Sequence, residues 1–421
     1  MSGFDSSVLS QRRRRKLIAR RADELAHCSR QIFVVTMVLL ALGMAALFSA
    51  STGSRAAGTE FPYWVILRQL LFTAIGVGLL LFTWLTALPK LSSQALKLLV
   101  ALALITNLVL LICVFIPPFG VEAGGAYRWL RIGGLQFQPA EFLKLTLILF
   151  IATALVPPGS RQLVTTRQSD GRYRTTRRKG LRPAGVIALI LLCIILTAIQ
   201  PDLGTTALLL TGSFAVLALA GVSWRALVGA FLVLLLIGGL GLLVAPQKYQ
   251  YAAQRLLTML HPSRDVSGPG YQITQSLVGI SQGGLLGRGY MQSQQKLGRL
   301  PLADRDFIFA VWVEEMGLLS GALVLGLFLY LLFLCWRAAA LLPFGFEGVA
   351  VFSLGFVLSL QAAVNIGTNV GLLPVSGLTL PFFSSGGSSL LVSLLMVAVV
   401  LGLLQRARAV ATKAESADEG S

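Results

Sequence analysis

The stretch LPLADRDFIFAVWVEEMG, residues 300–317, places acidic residues at the start of a long apolar run and inside it. Asp306 is followed directly by three apolar residues, so it would combine a helix N-terminus, which favours negative charge, with limited hydration. That combination suits a general base, and we predict this role for Asp306. A helix N-cap is the alternative interpretation of the same position, and Asp304 is a second candidate for the base.

Further charges stand in apolar surroundings. Glu141 and Lys144 are three residues apart, so on a helix they share a face and can neutralise each other. Charges inside a membrane usually face a bundle interior or a water-filled cavity; a pair that only fixes helix packing is the alternative. Asp202 follows a proline at a turn, where a cavity residue and a helix N-cap fit equally. Glu315 would lie about 13 Å below Asp306 along a helix, so we expect it to pair helices.

A small-residue segment precedes the last apolar run of the chain. Its members are Gly386 and Gly387, flanked by Ser384, Ser385, Ser388 and Ser389. A helix that starts after such residues offers free backbone N–H groups to an anion. A tight turn whose small residues pack between helices is the alternative.

The composition defines the class of protein that holds these residues. The 421 residues are 55% hydrophobic and 12% charged, whereas soluble domains carry about 25% charged residues, so the chain is predicted to be an integral membrane protein. Four cysteines without a CxxC pair and only two histidines argue against a disulfide framework, a zinc site or a haem. The basic stretches QRRRRKLIARR and RYRTTRRKGLR adjoin apolar runs, which indicates contact with anionic lipids and not with nucleic acid.

The elements that must position the candidates are ten transmembrane helices, since each apolar run is long enough to cross about 30 Å of hydrocarbon. The runs are 32–50, 65–86, 97–117, 138–156, 184–200, 204–221, 226–245, 307–335, 350–371 and 387–404. With both termini cytoplasmic, the inside segments hold most of the 35 Lys and Arg residues. The expected organisation is an all-α polytopic membrane protein with these parts: a basic tail 1–31, a ten-helix domain 32–404, an extracytoplasmic loop 246–306 between helices 7 and 8, and a C-terminal tail 405–421.

The same orientation gathers the unusual polar stretches on one face of the membrane. They are GAYRWLRIGGLQFQPAEFLKL (125–145), QPDLGTT (200–206), GYQITQSLVGISQGGLLGRGYMQSQQKLGRLP (270–301) and NVGLLPVSGLTLPFFSSGGSS (369–389). Four stretches far apart in sequence therefore converge on the outer face, which predicts a site there.

Through its motifs the chain resembles the SEDS family (shape, elongation, division and sporulation), and its division-type members more than its elongation-type members. The motifs are RWLRIGGLQFQPAEFLKL, QPDLGTT, GYQITQSLVGISQGGLLGRG, QQKLGRLP, DFIFAVWVEEMG and GLLPVSGLTLPFFSSGGSSLL. The resemblance implies a peptidoglycan glycosyltransferase that polymerises lipid II on the outer face of the cytoplasmic (inner) membrane. It also implies a class B penicillin-binding protein as transpeptidase partner, other division-machinery membrane proteins, and a place at the septum.

The chain departs from the family pattern at a few positions. Members usually have Tyr where this chain has Ser385, and His-Thr where it has Asp304 and Arg305. Division-type members often have Lys in place of Ser376. Asp306, Glu141 and Lys144 are unaffected by these departures.

The implied reaction converts an α-linked sugar pyrophosphate into a β bond, so it inverts the anomeric carbon. It needs a base, for which Asp306 is the candidate, and cations that stabilise the leaving pyrophosphate. The candidates for binding the lipid-linked pyrophosphate or sugar are Arg128, Glu141, Lys144, Asp202, Arg255, Gln275, Lys296, Ser384 and Ser388. Mg²⁺ or another divalent cation would assist by bridging phosphates, although no ligand cluster in the sequence demands it.

Three other interpretations stay open on the sequence. A lipid II flippase would also use ten spans and an intramembrane Glu–Lys pair, but transporters typically show internal repeats and polar residues near the midplane, and neither feature is recognisable here. The second is an elongation-type paralogue. The third is a catalytically silent scaffold of the division machinery.

Overall fold

The protein is described by a computed structural model. The residues that it describes are 3–56, 63–117, 119–123, 126–133, 135–156, 164–167, 173–176, 183–244, 268–343 and 345–419.

Helices dominate these residues, and each of the ten predicted apolar runs overlaps one of them. In chain order they are α1 Gly3–Ala56, α2 Tyr63–Phe82, α3 Leu88–Lys90, α4 Ser93–Cys113, α5 Pro139–Leu155, α6 Pro183–Ile199, α7 Leu203–Leu219, α8 Trp224–Val244, α9 Pro269–Gly283, α10 Ile308–Leu341, α11 Phe346–Asn369 and α12 Gly387–Glu419. A single π-helical turn, Thr83–Ala87, joins α2 to α3.

Six helical stretches in the described part of the chain are long and apolar enough to cross a membrane, and shorter apolar helices accompany them. The six are Ala19–Gly53, Val65–Lys90, Ser93–Cys113, Ile308–Leu341, Phe346–Asn369 and Gly387–Val410. The shorter ones are Pro183–Ile199, Leu203–Leu219 and Trp224–Leu234. The chain is therefore a polytopic membrane protein, as predicted, while the count of ten crossings and their orientation stay predictions.

The core of the bundle is formed by α11 and α12, whose apolar stretches are the most enclosed of the six, whereas α2 and α4 face mainly outward. Small residues allow the inner helices to approach closely. A Cβ on Gly355 of α11 would lie 2.6 Å from the sulfur of Cys335 in α10. Glycine at this position therefore permits the close contact of the two helices.

The prediction of an all-α protein is wrong in one respect, because short antiparallel strands lie between the helices. Strands β1 Gly120–Ala123, β2 Ala126–Ile132 and β3 Leu135–Phe137 form one sheet between α4 and α5. Strands β4 Val164–Arg167 and β5 Tyr173–Thr176 form a hairpin between α5 and α6. Strands this short leave almost no periodic signal in the sequence, and the stronger helical pattern on either side hides them.

The segment predicted as a long outer loop, 246–306, contains a helix. Its first part lies outside the described residues, but Pro269–Gly283 forms α9 and packs along α10. Helix α10 breaks at Gly317, where φ is +82°. The chain after α9 satisfies the groups that this break exposes: the Leu318 N–H donates to the Gly284 carbonyl at 2.9 Å, and the Arg288 N–H donates to the Glu314 carbonyl at 3.0 Å.

Candidate active site

One end of the bundle holds a cavity of about 680 Å³ with a mixed polar and apolar wall. The residues that line it include Arg68, Phe72, Arg128, Trp129, Gln138, Glu141, Asp202, Thr205, Gln272, Arg305, Asp306, Val375, Gly377, Thr379, Ser385 and Ser388. They come from α2, β2, α5, α7, α9 and the segments before α10 and α12. All four predicted polar stretches thus contribute residues to the cavity wall, and the stretch 270–301 does so through Gln272 of α9.

Asp306 lines this cavity from the turn that precedes α10. It is not the N-cap, because the helix begins at Ile308 after Phe307, whose side chain makes no cap hydrogen bond. The first turn of the helix is bound from outside, since the Ala310 N–H donates to Asn369 Oδ1 at 3.1 Å. Phe307 and not Asp306 thus occupies the N-cap position, and the Asp306 carboxylate lies at the cavity wall near Gly377, whose hypothetical Cβ would lie 3.9 Å from Asp306 Oδ2.

The competing carboxylate, Asp304, is engaged elsewhere. Its Oδ2 accepts a hydrogen bond from Ser385 Oγ at 2.6 Å, and its carbonyl accepts the Ser385 N–H at 2.8 Å. Asp304 is not among the residues that line the cavity. The geometry favours Asp306 over Asp304 as the group that can reach a substrate.

Glu141 and Lys144 form the predicted pair, at 2.6 Å between Lys144 Nζ and Glu141 Oε2. Lys144 is 1% exposed, and its ammonium also donates to Gln361 Oε1 at 2.7 Å. Gln361 is held in turn by Thr379, whose carbonyl accepts from Gln361 Nε2 at 2.9 Å. Glu141 reaches the cavity wall while Lys144 lies behind it, so the cation supports the wall and does not line it.

Asp202 combines the two roles that the sequence left open. Its Oδ1 accepts the Thr205 N–H at 3.2 Å, which caps α7, and its Oδ2 accepts from Gln138 Nε2 at 2.7 Å. Arg128 donates to the carbonyls of Gln200, at 2.9 Å, and Pro201, and so ties strand β2 to the turn before α7. Both Asp202 and Arg128 line the cavity.

The other candidates divide into several groups. Ser388 lines the cavity, and its Oγ accepts the Gln138 N–H at 3.2 Å. Lys296 does not reach the cavity, because its buried ammonium is bound to Glu315 Oε1 and to Ser49 Oγ, each at 2.8 Å. This part of the prediction is corrected: Lys296 holds its segment to α1 and α10.

Ser384 and Gln275 are likewise absent from the cavity wall. Ser384 Oγ donates to the Arg305 carbonyl at 2.6 Å and accepts the Leu380 N–H at 2.8 Å, so it fixes main chain. Gln275 lies in α9, where Gln272 reaches the wall in its place. Arg255 lies outside the described residues.

Sequence reasoning missed two cations of the cavity, Arg68 and Arg305. Arg68 was detectable as the only charge in its apolar run, since lone intramembrane charges usually mark a functional surface. Arg305 was noted only as a departure from a family pattern. With Arg128 they make three guanidinium groups around a wall that also carries Glu141, Asp202 and Asp306.

The model of the cell cycle protein family that comprises FtsW, RodA and SpoVE matches residues 29–409. The chain belongs to this family.

Relatives and solved structures agree with this membership. The chain is 37% identical over 409 residues to a probable peptidoglycan glycosyltransferase FtsW of Halorhodospira halophila, covering 92% of this chain and 94% of the relative. It is 33% identical over 384 residues to the stage V sporulation protein E of Bacillus subtilis, covering 90% and 97%.

Among solved structures, it matches a chain of a peptidoglycan synthase complex that coordinates polymerization and crosslinking, with a TM-score of 0.66 and 29% identity over 90% of this chain and 97% of that one. It also matches the rod shape determining protein RodA of Thermus thermophilus, with a TM-score of 0.57 and 28% identity over 90% and 96%.

The described carboxylates of this FtsW/RodA/SpoVE family member are poorly arranged to bind a metal ion. Within the described ranges, no three His, Cys, Asp or Glu side chains come together. Glu141 is paired with Lys144, and Asp202 is occupied by Thr205 and Gln138. The donor set does not form a divalent-cation cage of its own, and no step below is routed through a metal.

Proposed function

We propose that this chain is an inverting glycosyltransferase that polymerises lipid II into glycan strands, with Asp306 as general base. The observation that carries the proposal is the cavity in which Asp306 lies together with Arg68, Arg128 and Arg305. It supplies one carboxylate for a proton and three arginines for a developing anion. Relatives that are named peptidoglycan glycosyltransferase support the substrate class.

In this reaction the hydroxyl of one sugar attacks the anomeric carbon of another and displaces its pyrophosphate. Asp306 takes the proton of the attacking hydroxyl as the new bond forms, a contribution of about 10²–10⁴ in rate. Pyrophosphate leaves without needing a proton, so stabilising its charge is the greater task. Arginine suits that task because its planar fork binds phosphate oxygens in pairs and stays charged.

A second cavity supports a substrate with a long apolar chain. It measures about 330 Å³ and is lined mainly by α7, α11 and the segment Leu373–Leu378. Val375 lines both this cavity and the polar one. A lipid-linked sugar has a polar head and an apolar tail that would fit such neighbours.

The proposed setting is the cytoplasmic membrane, with ten crossings, both termini inside and the polar cavity at the outer face, at the division septum. The charge bias described above and the family membership support it. A reporter fused after residue 170 or at the C-terminus should be cytoplasmic, and one near 265 extracytoplasmic. A periplasmic signal from the first fusion would overturn this orientation.

A transpeptidase partner of the class B penicillin-binding type is part of the proposal. It is supported by the similarity to a chain of a synthase complex that coordinates polymerization and crosslinking.

The test is polymerisation of lipid II by the purified full chain, with and without that partner. Asp306→Asn should accumulate normally, because asparagine keeps the size of aspartate and nearly its capping ability, and the bonds to the main-chain carbonyl remain. Its rate should fall by about 10²–10⁴. Asp23→Asn, an exposed carboxylate on α1, is the control. Polymerisation at near-normal rate by Asp306→Asn would refute the assignment.

The same assay separates polymerisation from transport. A flippase would leave lipid II chemically unchanged, so a purified wild type that moves lipid II across a vesicle and makes no polymer would replace the proposed function with the rival one.

A further inference from the structure

Three successive main-chain carbonyls before α10 accept hydrogen bonds from residues that are distant in the sequence. The Asp304 carbonyl accepts the Ser385 N–H at 2.8 Å. The Arg305 carbonyl accepts Ser384 Oγ at 2.6 Å. The Asp306 carbonyl accepts the side-chain amides of Asn365 and Asn369, each at 2.9 Å. Hydrogen bonds thus bind the main chain of this segment residue by residue.

The donors come from two elements, α11 and the segment before α12, and the second of these contributes residues to the cavity wall. Asn365 and Asn369 are one turn apart on α11, so they project from one face, and both are fully buried. Asn365 Nδ2 also donates to the Leu378 carbonyl at 2.7 Å, which links Asp306 to the opposite wall segment. Ser384 and Ser385 lie just before α12.

The segment 302–307 needs this external support because it has no regular structure of its own. Its residues form turns, and Leu302 has a φ of +56°, a conformation that is unfavourable for a leucine. Regular hydrogen bonding begins only with α10 at Ile308. The position of Asp306 in the cavity is therefore held by these four donors together with the turn's own bonds, in which the N–H groups of Arg305 and Phe307 donate to the Leu302 carbonyl.

The side chain of Asp304 adds a third hydrogen bond between this segment and the two serines. Ser385 Oγ donates to Asp304 Oδ2 at 2.6 Å, a length typical of a hydrogen bond to an ionised acceptor, which is the stronger kind. Both partners are positions where the chain departs from the pattern of the family it resembles. The structure shows that these two departures meet in one contact.

We infer that Ser384, Ser385, Asn365 and Asn369 form a clamp that positions Asp306, and that Asp304 is a positioning residue of this clamp and not a second base. The inference rests on the proposed function, because it concerns the placement of the catalytic carboxylate. Loosening the clamp displaces Asp306 relative to the attacking hydroxyl, and a displacement of about 1 Å costs about 10²-fold in rate in favourable cases. Since the clamp residues act through the main chain, turnover should suffer more than substrate binding.

The experiment measures initial rates of lipid II polymerisation against lipid II concentration for the full chain with its class B transpeptidase. Ser385→Ala should lower kcat by about 10- to 100-fold, with KM changed by less than about threefold. Ser385→Thr, which keeps a hydroxyl, should recover most of the rate. Ser393→Ala is the matched control, because this buried serine of α12 donates to the Ser389 carbonyl inside its own helix and should keep wild-type kcat.

A double-mutant cycle tests the pair directly. Asp304→Ala should lower kcat by a similar factor, and the double variant Ser385→Ala, Asp304→Ala should be little slower than either single one, since residues that act through one contact are not additive. The side chain of Asp304 is partly exposed, so its removal should be tolerated. Asp304→Ala serves alone if Ser385→Ala does not accumulate.

Several results would overturn the clamp. They are wild-type kcat in Ser385→Ala or Asp304→Ala, a raised KM with unchanged kcat, no recovery in Ser385→Thr, or multiplicative losses in the double variant. A wild-type complex that makes no polymer would refute the proposed function and the clamp with it, which is a distinct result from an active wild type that is indifferent to these substitutions.

Discussion

The pair of Glu141 and Lys144 gives a prediction whose size follows from the contacts. Lys144→Met replaces a buried ammonium by a flexible apolar side chain of similar length. Glu141 then loses the cation that lies 2.6 Å away, and Gln361 Oε1 loses its donor. Gln361 cannot turn to help, because its amide nitrogen is bound to the carbonyl and hydroxyl of Thr379.

Breaking a buried ion pair from one side typically costs about 3–5 kcal/mol, and leaving a buried acceptor unsatisfied costs about 1–3 kcal/mol. Both losses come from the same ammonium group, so their free energies will not add fully. We expect a total loss of about 3–5 kcal/mol in the free energy of unfolding. A typical domain has only about 5–15 kcal/mol of stability. Lys144→Met should therefore lower the thermal midpoint strongly and reduce the yield of folded protein.

The assay compares thermal unfolding and lipid II polymerisation for Lys144→Met and for the double variant Glu141→Gln, Lys144→Met. The double variant removes the uncompensated charge, so its midpoint should recover by at least half and its activity in part. Leu147→Met, a buried position of the same helix, is the control and should cost less than about 1.5 kcal/mol.

Two results would refute the reasoning about Lys144. The first is Lys144→Met with the midpoint of the wild type. The second is a double variant that is well folded but inactive, which would show that Lys144 contacts the phosphates directly.

Two further predictions concern the segment that connects α9 to α10. Lys296→Met should lower the free energy of unfolding by about 3–5 kcal/mol, and with it the thermal midpoint, because Glu315 loses its cation in a buried site. Turnover per folded molecule should stay near wild type. Lost turnover at normal stability would contradict this prediction. Gly287→Ala should destabilise more than Gly284→Ala. Each substitution forces alanine into a positive-φ conformation at a cost of about 1–3 kcal/mol, but only at position 287 would the new Cβ overlap the Glu315 carbonyl. Equal midpoints for the two alanine variants would show that this close approach does not matter.

The features of the fold and site that depend on local sequence patterns could be predicted from the sequence. Each apolar run overlaps a helix because long stretches of Leu, Val, Ile and Ala allow little else in a membrane. Asp306 was recognisable as a carboxylate at the start of such a run, and Glu141 with Lys144 by their spacing. These signals are short-range, so one sequence suffices to find them.

The sequence could not reveal which polar residues meet across the bundle. Lys296 was predicted to bind phosphate because it is basic and lies in an outer segment, but its partners, Ser49 and Glu315, are in α1 and α10. Asn365 and Asn369 were overlooked, since asparagine inside an apolar helix has many possible partners and only the fold selects the Asp306 carbonyl. Tertiary contacts of this kind leave no local pattern.

The way each carboxylate is held distinguishes the candidates for the base. Glu141 and Glu315 are each held through the carboxylate itself, by a lysine at 2.6 Å and 2.8 Å. To accept a proton, either would have to give up a buried ion pair, at a cost of several kcal/mol. The two asparagine amides that fix Asp306 bind its carbonyl oxygen instead, and these bonds are unchanged when the carboxylate gains or loses a proton. The main-chain anchor of Asp306 is thus independent of the protonation state of its carboxylate, whereas protonating Glu141 or Glu315 would break the ion pair that holds its side chain.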